Sequence, residues 1–584
     1  MMKITERPLI FFDFEVFKED WLVVFIDYDT KRKCIIANDK EKLKSFYSKF
    51  SECIFIGYNS VNYDQNILKG ILNGYNPHRI SVELIEKGKK PYQIFPKEVR
   101  NMKFYCFDIG NKFRSLKELE GFMGLNIKET DVDFNIDRKL TEEELKETEI
   151  YCIADVQATI EVFEKSREEF DSIVGLIEMF DLPHECISKT KAQLSATILE
   201  AKRPDYNRDD EWDIELPDNL IIERYKDVVD WFMSDEIRKE KAKYERDVYG
   251  VKHIFALGGI HGATTKKEYD GIIGLWDVAS LYPSTIIEYN LMSRNVPNPE
   301  KYKEIRELRL NYKKQKNPLQ APLKIVLNST YGILNDKYST MYDPRQAHRV
   351  CIYNQLFLLD LIEKIENECG ENAELIQSNT DGVYFQFKDI ETMEKASECV
   401  KEWEKRTRYT MELDKAKKII QRDVNNYILV MENGKVKAKG AVVKKLSDLD
   451  YDLPIVNKAL KAYLIDGVSF EEYIENENRL IEYQKIYKVT SNYLYAWHND
   501  EPVKHKVNRV FASTREEDTP FYKWKKEKTS ADKYASTPEH TFIDNGDIRN
   551  KSVPDCLDKQ WYIDRCKAEY KKFTGKVYGD DKNE

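Results

Sequence analysis

Three apolar runs of this chain contain or end in carboxylates, and this feature limits its possible folds more than any other. LIFFDFE begins at Leu9, GIIGLWD ends at Asp277, and ELIQSNTDG begins at Glu374. Short runs of β-branched and aromatic residues bounded by turn residues predict strands. Neighbouring carboxylates on a sheet repel one another unless a cation joins them, so these strands indicate metal-binding centres.

Length and composition predict a globular protein of several domains. The chain has 584 residues, 41% of them hydrophobic, with 36 Tyr and 27 Phe, which is enough for several packed cores. The formal net charge is -10, so any contact with nucleic acid has to come from local basic patches.

Cysteine spacing and hydropathy exclude several classes of protein. The ten cysteines form no C-x-x-C pair and no zinc-type cluster with histidine, which favours reduced thiols in a cytoplasm. No apolar run has the length of a signal peptide or a membrane-spanning helix. We therefore expect a soluble cytoplasmic protein that has no contact with a membrane.

The N-terminal region predicts an α/β unit with a carboxylate cluster. Residues 9–28 read as a hairpin, and Asp13 and Glu15 lie two apart on one face of its first strand. Asp64 closes the segment GYNSVNYD, while Tyr151 and Asp155 lie one helical turn apart. Four acids and a tyrosine suit two-metal phosphodiester hydrolysis, although a lone D-x-E pair is typical of a solvated strand.

These segments, DFE, N-x-x-x-Y-D and Y-x-x-x-D, resemble the three motifs of DnaQ-like proofreading 3'-5' exonucleases. The resemblance implies metal ligands at Asp13, Glu15, Asp64 and Asp155, with Tyr151 orienting the water. It also implies that Asn59, Ser115 and Leu116 contact a single-stranded primer end. A turn asparagine and an ordinary helix start are the alternative for those three residues.

A second set of motifs resembles the family B DNA polymerases. DVASLYPSTI is similar to motif A, D-x-x-S-L-Y-P-S. The resemblance implies that Asp277 binds two catalytic ions and that Tyr282 packs beneath the incoming sugar, where a 2'-hydroxyl would collide with the ring.

Further along the chain, LKIVLNSTYG places Lys324, Asn328 and Tyr331 on one helical face. This segment is similar to motif B, K-x-x-x-N-S-x-Y-G, and implies a nucleotide-binding surface. Arg309 and Lys313, one turn apart just upstream, would reach the same triphosphate, and a solvated helix face is the alternative.

The predicted hairpin tip SNTDG resembles motif C, usually D-T-D, with Asn379 at the first position and Asp381 at the second. The resemblance implies that the second acid is the essential ligand. Asp277 and Asp381 would hold two Mg²⁺ ions for nucleotidyl transfer, with two more ions at the exonuclease carboxylates and Mn²⁺ as a substitute.

Flanking segments supply candidate DNA contacts. ALGGIHGA, with Gly258 and Gly259, resembles a Y-x-GG segment that approaches the template, although Ala256 replaces its aromatic residue. Lys437 and Lys439 in GKVKAKGA would hold the primer duplex, with an ordinary edge strand as the alternative. The basic and aromatic run FYKWKKEK at 521–528 would let a thumb hold phosphates.

The resemblance implies a multidomain protein of α/β and α+β type, in which an RNase H-like exonuclease domain precedes a right-hand polymerase of palm, fingers and thumb. We place a domain boundary within 172–250, a segment that ends in the helix-like run from Asp235 to Gly250. The predicted regions are exonuclease 1–175, linker and N-terminal palm 176–270, palm 271–300, fingers 301–345, palm 346–445, and thumb and C-terminal region 446–584.

The implied function is template-directed DNA synthesis with proofreading, and the implied partners are primer-template DNA, dNTPs and replisome proteins. We expect a monomer of the compact phage or plasmid type, in the host cytoplasm if phage-encoded. The gap of roughly 40 residues between motifs A and B favours nucleic-acid priming over protein priming.

Two other functions are open at this point. The chain is an exonuclease or DNA-binding module whose polymerase centre has decayed, with Asn379 as the first sign, or it is a structure-specific nuclease that uses the palm only to hold DNA. Metal-dependent incorporation of dNTPs distinguishes both from a polymerase.

Overall fold

The computed structural model describes residues 3–110, 114–203, 210–527 and 531–579. It divides into two compact units, each assembled from separate stretches of the chain. Unit 1 comprises Met1–Lys189, Leu446–Ile455 and Glu471–Ile563, and unit 2 comprises Thr190–Lys445, Val456–Phe470 and Asp564–Glu584. Both contain helices and sheets, which confirms the predicted mixed α/β multidomain class.

The N-terminal part of unit 1 is a five-stranded sheet covered by helices. The strand order is β3-β2-β1-β4-β5, with β1 antiparallel to β2 and parallel to β4. The predicted hairpin is therefore confirmed. The strands are β1 Leu9–Val16, β2 Trp21–Asp27, β3 Lys33–Ala37, β4 Ile54–Gly57 and β5 Cys106–Asp108. The helices are α1 Lys40–Phe50, α2 Asp64–Leu72, α3 Pro77–Ile85, α4 Pro91–Ile94, α5 Lys97–Arg100, α6 Leu116–Phe122, α7 Glu142–Lys165 and α8 Arg167–Met179.

An aromatic core fixes this sheet. Phe12, Phe25, Phe55 and Phe104 are almost fully buried, and the rings of Phe55 and Phe104 stack with centroids 4.6 Å apart. Because successive side chains of a strand point to opposite faces, Phe12 and Phe14 enter this core while Asp13 and Glu15 lie on the other face.

Unit 2 contains a nine-stranded sheet in the order β14-β13-β12-β9-β11-β10-β8-β7-β6. The strands are β6 Lys243–Val248, β7 Val251–Ala256, β8 His261–Ala263, β9 Glu268–Val278, β10 Ala373–Ser378, β11 Gly382–Phe387, β12 Met411–Asp423, β13 Asn426–Met431 and β14 Val436–Lys439. The helices are α9 Lys191–Ile198, α10 Lys226–Phe232, α11 Leu281–Glu288, α12 Glu300–Lys314, α13 Gln320–Leu334, α14 Pro344–Cys369 and α15 Ile390–Thr407.

One predicted element in unit 2 is wrong. The run from Asp235 to Gly250 was expected to be helical because of its Lys and Glu content, but it forms a short 3-10 turn followed by strand β6. Tyr249 and Gly250 both have positive φ, at 50° and 75°, and they form a tight two-residue turn. This turn pairs β6 with β7 in an antiparallel hairpin.

The remaining segments are α16 Pro454–Asp466, α17 Phe470–Asn476, β15 Lys485–Lys488, β16 Tyr493–His498, β17 Glu501–Val503, β18 Val507–Ala512, β19 Tyr522–Lys525, β20 Ala531–Lys533, β21 Thr541–Ile543 and α18 Lys559–Thr574. Their strands form two small sheets, β15-β18-β21 and β17-β16-β19-β20. The sequence did not predict these sheets. Across the described ranges, no helix combines the length and the apolar character needed to cross a membrane.

Candidate active sites

The N-terminal carboxylates converge on one face of the first sheet. Asp13 and Glu15 lie on β1, and Asp64 is the first residue of α2, where its carboxylate accepts a hydrogen bond from the Phe14 N–H at 3.0 Å. Helix α7 packs against β1 and brings Tyr151 and Asp155 to the same place. The structure thus brings together all five residues that the sequence predicted for this centre.

Burial and mutual repulsion raise the pKa of every carboxyl group in this cluster. Burial first, and Asp155 second, raise the pKa of Asp13 to about 7. Burial and then Asp13 raise the pKa of Glu15 and of Asp64, and burial raises that of Asp155. This crowded negative charge fits a divalent cation, which would stabilise the ionised forms.

Two residues at this centre were not predicted. Lys117 on α6 forms an ion pair with Asp155 and another with Glu120 at 3.1 Å, and its amino group lies 4.8 Å from the centroid of the Tyr151 ring. Cys152 on α7 lies beside Asp13 and Glu15, with the potential ligand atoms of all three within 4.8 Å of one another. Lys117 directly follows the predicted primer contacts Ser115 and Leu116, but no local pattern indicates its contact with Asp155.

The three predicted primer contacts all have structural roles. Asn59 adopts a left-handed φ of 59° in the turn after β4 and accepts a hydrogen bond from Asn62 Nδ2 at 2.8 Å. Ser115 caps α6 through a reciprocal pair of contacts with Glu118. Leu116 is half-buried against the apolar side of that helix. These contacts within the protein are enough to explain the three residues, so their contact with DNA stays a prediction.

The second carboxylate centre lies in the middle of the sheet of unit 2. Asp277 is near the end of β9, directly opposite Gly382 of β11 and Glu412 of β12. Asp381 is in the β10–β11 turn, and its backbone carbonyl accepts a hydrogen bond from Val278 N–H at 2.7 Å. The hairpin predicted around SNTDG is therefore confirmed, and motifs A and C meet on adjacent strands.

Burial followed by the charge of Asp381 raises the pKa of Asp277 to about 7, and Asp414 on β12 contributes further. Glu412 and Asp414 were not predicted, although their alternation along a strand was a usable signal.

The Lys437 amino group forms an ion pair with Asp414 at 2.5 Å, so one predicted DNA-binding lysine is engaged within the sheet. Lys439 lies 5.9 Å from the centroid of the Tyr427 ring.

Asn379 has a clear structural role in the motif C turn. Its side-chain oxygen accepts a hydrogen bond from the Asp381 N–H at 3.1 Å, and its own N–H donates to the Gly382 carbonyl at 3.0 Å. An aspartate oxygen in the same place would accept the same bond. The asparagine therefore preserves the turn that presents Asp381 while removing one negative charge.

The candidate nucleotide-binding residues lie on helices α11, α12 and α13. The rings of Tyr282 on α11 and Tyr331 on α13 stack, with centroids 4.0 Å apart and planes 8° apart. Lys324 and Asn328 are exposed on α13. On α12, Arg309 is buried and donates to the Ser280 hydroxyl at 3.3 Å, whereas Lys313 is exposed and pairs with Glu412 at 3.6 Å.

The glycine pair lies against motif C. A Cβ on Gly259, which has a φ of 134°, would lie 3.0 Å from the Thr380 hydroxyl oxygen. Gly258 has open space around it, since no atom of the described residues lies within 4 Å of a Cβ built there. The backbone of Gly258 and Gly259, which has no side chains, therefore lies beside the turn that contains Asp381.

Sequence comparison finds DNA polymerases. The chain is 24% identical over 275 residues to DNA polymerase 1 of Saccharolobus solfataricus, covering 39% of this chain and 30% of that protein. It is 29% identical over 155 residues to the DNA polymerase alpha catalytic subunit of Oryza sativa subsp. japonica, and this match covers 22% of this chain and 10% of that protein. The matches span less than a third of the length of these curated relatives. No family model matches the chain.

Among solved structures, the family B DNA polymerase from the hyperthermophilic archaeon Pyrobaculum calidifontis is similar at a TM-score of 0.42 and 13% identity, covering 97% of this chain and 78% of that one. The sequence matches relate this chain to DNA polymerases. More particularly, the segments that contain the two carboxylate centres resemble motifs of the family B DNA polymerases.

Proposed function

We propose that this chain is a DNA-directed DNA polymerase with its own proofreading 3'-5' exonuclease. The observation that carries the proposal is the meeting of motifs A and C on adjacent strands, where Asp277 lies opposite Gly382, the residue that directly follows Asp381. The exonuclease proposal depends on five residues of β1, α2 and α7 that lie close together, namely Asp13, Glu15, Asp64, Tyr151 and Asp155.

In the polymerase centre, Asp277 and Asp381 would hold the metal ions. Two Mg²⁺ ions bound there would activate the primer 3'-hydroxyl and neutralise the leaving pyrophosphate. The Tyr282–Tyr331 stack gives a flat, rigid surface for the sugar of the incoming nucleotide and would exclude a 2'-hydroxyl by contact. Lys324, Lys313 and Arg309 supply positive charge for the triphosphate, and Asn328 would pack on the nascent base pair.

In the exonuclease centre, Asp13, Glu15, Asp64 and Asp155 would hold two metal ions and Tyr151 would orient the attacking water. Lys117 forms an ion pair with Asp155 and would hold that carboxylate in place. Burial lowers the pKa of Lys117, but the carboxylates of Asp155 and Glu120 outweigh burial and raise it, so the lysine remains charged.

The same proposal assigns the exonuclease to 1–175, the palm to 271–300 and 346–445, the fingers to 301–345 and the thumb to 446–584. Gly258, Gly259, Lys437 and Lys439 would contact duplex DNA, and Asn59, Ser115 and Leu116 the frayed primer end. Primer-template DNA and dNTPs are the proposed substrates, with nucleic-acid priming and a compact phage-type replisome as the setting.

The test is a 5'-labelled primer on a longer template with Mg²⁺, with and without dNTPs. The proteins compared are the wild type, Asp381→Ala and the double variant Asp13→Ala/Glu15→Ala. We expect Asp381→Ala to lose extension but still shorten the primer, and the double variant to lose shortening but still extend. Each variant is the matched control for the other, because their sites lie in different compact units.

A wild-type protein that shortens primers but never extends them at any dNTP concentration would contradict the polymerase proposal. In that case Asn379→Asp becomes the informative variant. Recovery of extension by Asn379→Asp would show a centre that lost activity through this one substitution, and no recovery would leave a nuclease.

A further inference from the structure

The four-stranded sheet of unit 1, in the order β17-β16-β19-β20, has no role in either proposed centre. Trp497 on β16 lies directly opposite Pro502 on β17 and Tyr522 on β19. Residues opposed across antiparallel strands share a face, and so do alternate residues of one strand. Trp497, Tyr522 and Trp524 therefore lie on the same face.

Three aromatic rings cluster on this face. The Trp497 and Trp524 rings have centroids 5.2 Å apart, and Tyr495 lies 6.2 Å from Trp497 and 6.1 Å from Trp524. All three side chains are half-buried, and the neighbouring Leu494 is 49% exposed. We call Tyr495, Trp497 and Trp524 the aromatic platform.

The platform is separate from the local hydrophobic core. That core contains Ala496 and Phe521, both fully buried, together with Tyr487, Val489 and Val510. Ala496 lies opposite Lys523, on the face away from Trp497. Because the other face supplies the core, the platform rings have ring surface left for a ligand.

Local charge around the platform is opposite to the average of the chain. Residues 521–533 contain five lysines and two acidic residues, in a chain of net charge -10. Lys526 is exposed next to β19, and Lys525 pairs with Asp532 at 3.0 Å. Lys528 lies outside the described residues. Clustered aromatic rings with an exposed lysine beside them suit a ligand that has both flat bases and phosphates.

We propose that the aromatic platform binds single-stranded DNA, with bases stacking on its rings and the backbone phosphates next to the exposed Lys526. Bases in a duplex already stack on one another, whereas unpaired bases have free faces for tyrosine and tryptophan. This site is additional to the two carboxylate centres and depends on neither.

The test is photo-cross-linking of a 5-iodouracil-containing single strand in EDTA, with Asp13→Ala/Glu15→Ala as the parent protein so that the strand stays intact. We expect cross-links in peptides that contain 493–498 and 522–525. In parallel, fluorescence anisotropy with an oligothymidylate should show Trp497→Leu/Trp524→Leu binding at least about fivefold more weakly. Trp497→Phe/Trp524→Phe keeps the rings and should retain most of the affinity.

Tyr92→Ala is the matched control, because Tyr92 is 65% exposed in unit 1 but far from this sheet in the sequence. It should bind like the parent protein. The exposed Lys526 gives a variant that does not disturb packing, and Lys526→Glu should weaken binding and reduce its dependence on salt.

Cross-links that map only outside this sheet would overturn the proposal. So would equal affinity of the parent and the folded leucine variant, or of the parent and Lys526→Glu. Loss of primer extension by the wild type would bear on the polymerase proposal alone, because the binding experiments need neither Mg²⁺ nor dNTPs.

Discussion

At the scale of single residues, the proposed polymerase centre depends on one glycine. A Cβ on Gly382 would lie 2.0 Å from the Asp277 carboxylate oxygen and 2.8 Å from the Trp276 carbonyl oxygen. Neither distance is possible, so a side chain here must displace Asp277 or separate β9 from β11. The glycine of SNTDG therefore allows the close approach of the two carboxylate-bearing segments.

We predict that Gly382→Ala lowers primer extension by about a hundredfold, because a displacement of roughly 1 Å in a catalytic group has an effect of that size. Steady-state extension kinetics measure the change. Primer shortening by the same variant is the internal control and should be unchanged, since the proposed exonuclease carboxylates lie in the other unit. Wild-type extension by Gly382→Ala would show that this contact does not position Asp277.

A buried histidine makes unit 2 sensitive to acid. His253 on β7 is fully buried, with Nδ1 2.8 Å from the Val251 carbonyl and Nε2 2.6 Å from the Ser378 hydroxyl. The neutral ring satisfies both contacts if Nδ1 donates and Nε2 accepts. Burial lowers the pKa of His253 to about 4, below its ordinary value of 6.5.

Protonation of His253 therefore favours the unfolded chain, and its contribution to stability is lost as pH falls from about 6.5 towards 4. Over that range we predict that the free energy of unfolding of the wild type falls by on the order of 3 kcal/mol more than that of His253→Gln. Urea unfolding at several pH values measures this difference. Parallel pH dependence of the two proteins would contradict the prediction.

At the scale of secondary structure elements, local patterns in the sequence predicted the strands that carry the carboxylates. Apolar runs predicted β1 and β9, and the turn residues Asn379 to Gly382 predicted the β10–β11 hairpin. The helical spacing of Tyr151 and Asp155 placed both on α7. Each of these depends on a few neighbouring residues, so the sequence alone was sufficient.

Features that depend on distant residues were missed. The contact between Lys117 and Asp155 joins residues 38 positions apart on two helices, and no local pattern indicates it. Strand β6 was read as helix because its charged residues favour helices, while its pairing with β7 decided the outcome. The small C-terminal sheets have strands as short as three residues, too short for a clear periodic pattern.

At the scale of the whole molecule, a C-terminal arginine holds unit 1 together. Arg509 on β18 is fully buried, and its five N–H groups all donate to neutral oxygens. The acceptors are Gln484 Oε1 and the carbonyls of Asp544, Gly546, Gly121 and Leu125, at 2.7–3.1 Å. Two of those carbonyls lie in α6 and just after it, the helix that carries Lys117.

We predict that Arg509→Met lowers the free energy of unfolding of unit 1 by about 3 kcal/mol or more, since it leaves several buried carbonyls without donors. Primer shortening should then be lost at a lower temperature than primer extension. Arg138→Met is the matched control, because Arg138 is 55% exposed and its pair with Glu144 contributes little. Equal inactivation temperatures for Arg509→Met and the wild type would contradict this role.

The discontinuous make-up of unit 1 also bears on its biosynthesis. Its first 189 residues leave the ribosome long before Arg509 and residues 544–546, which complete the same unit. At about 5–20 residues per second, that interval is tens of seconds. During it, the backbone carbonyls of Gly121 and Leu125 have no guanidinium partner. The nascent N-terminal region therefore passes through an incomplete state whose lifetime is set by the speed of translation.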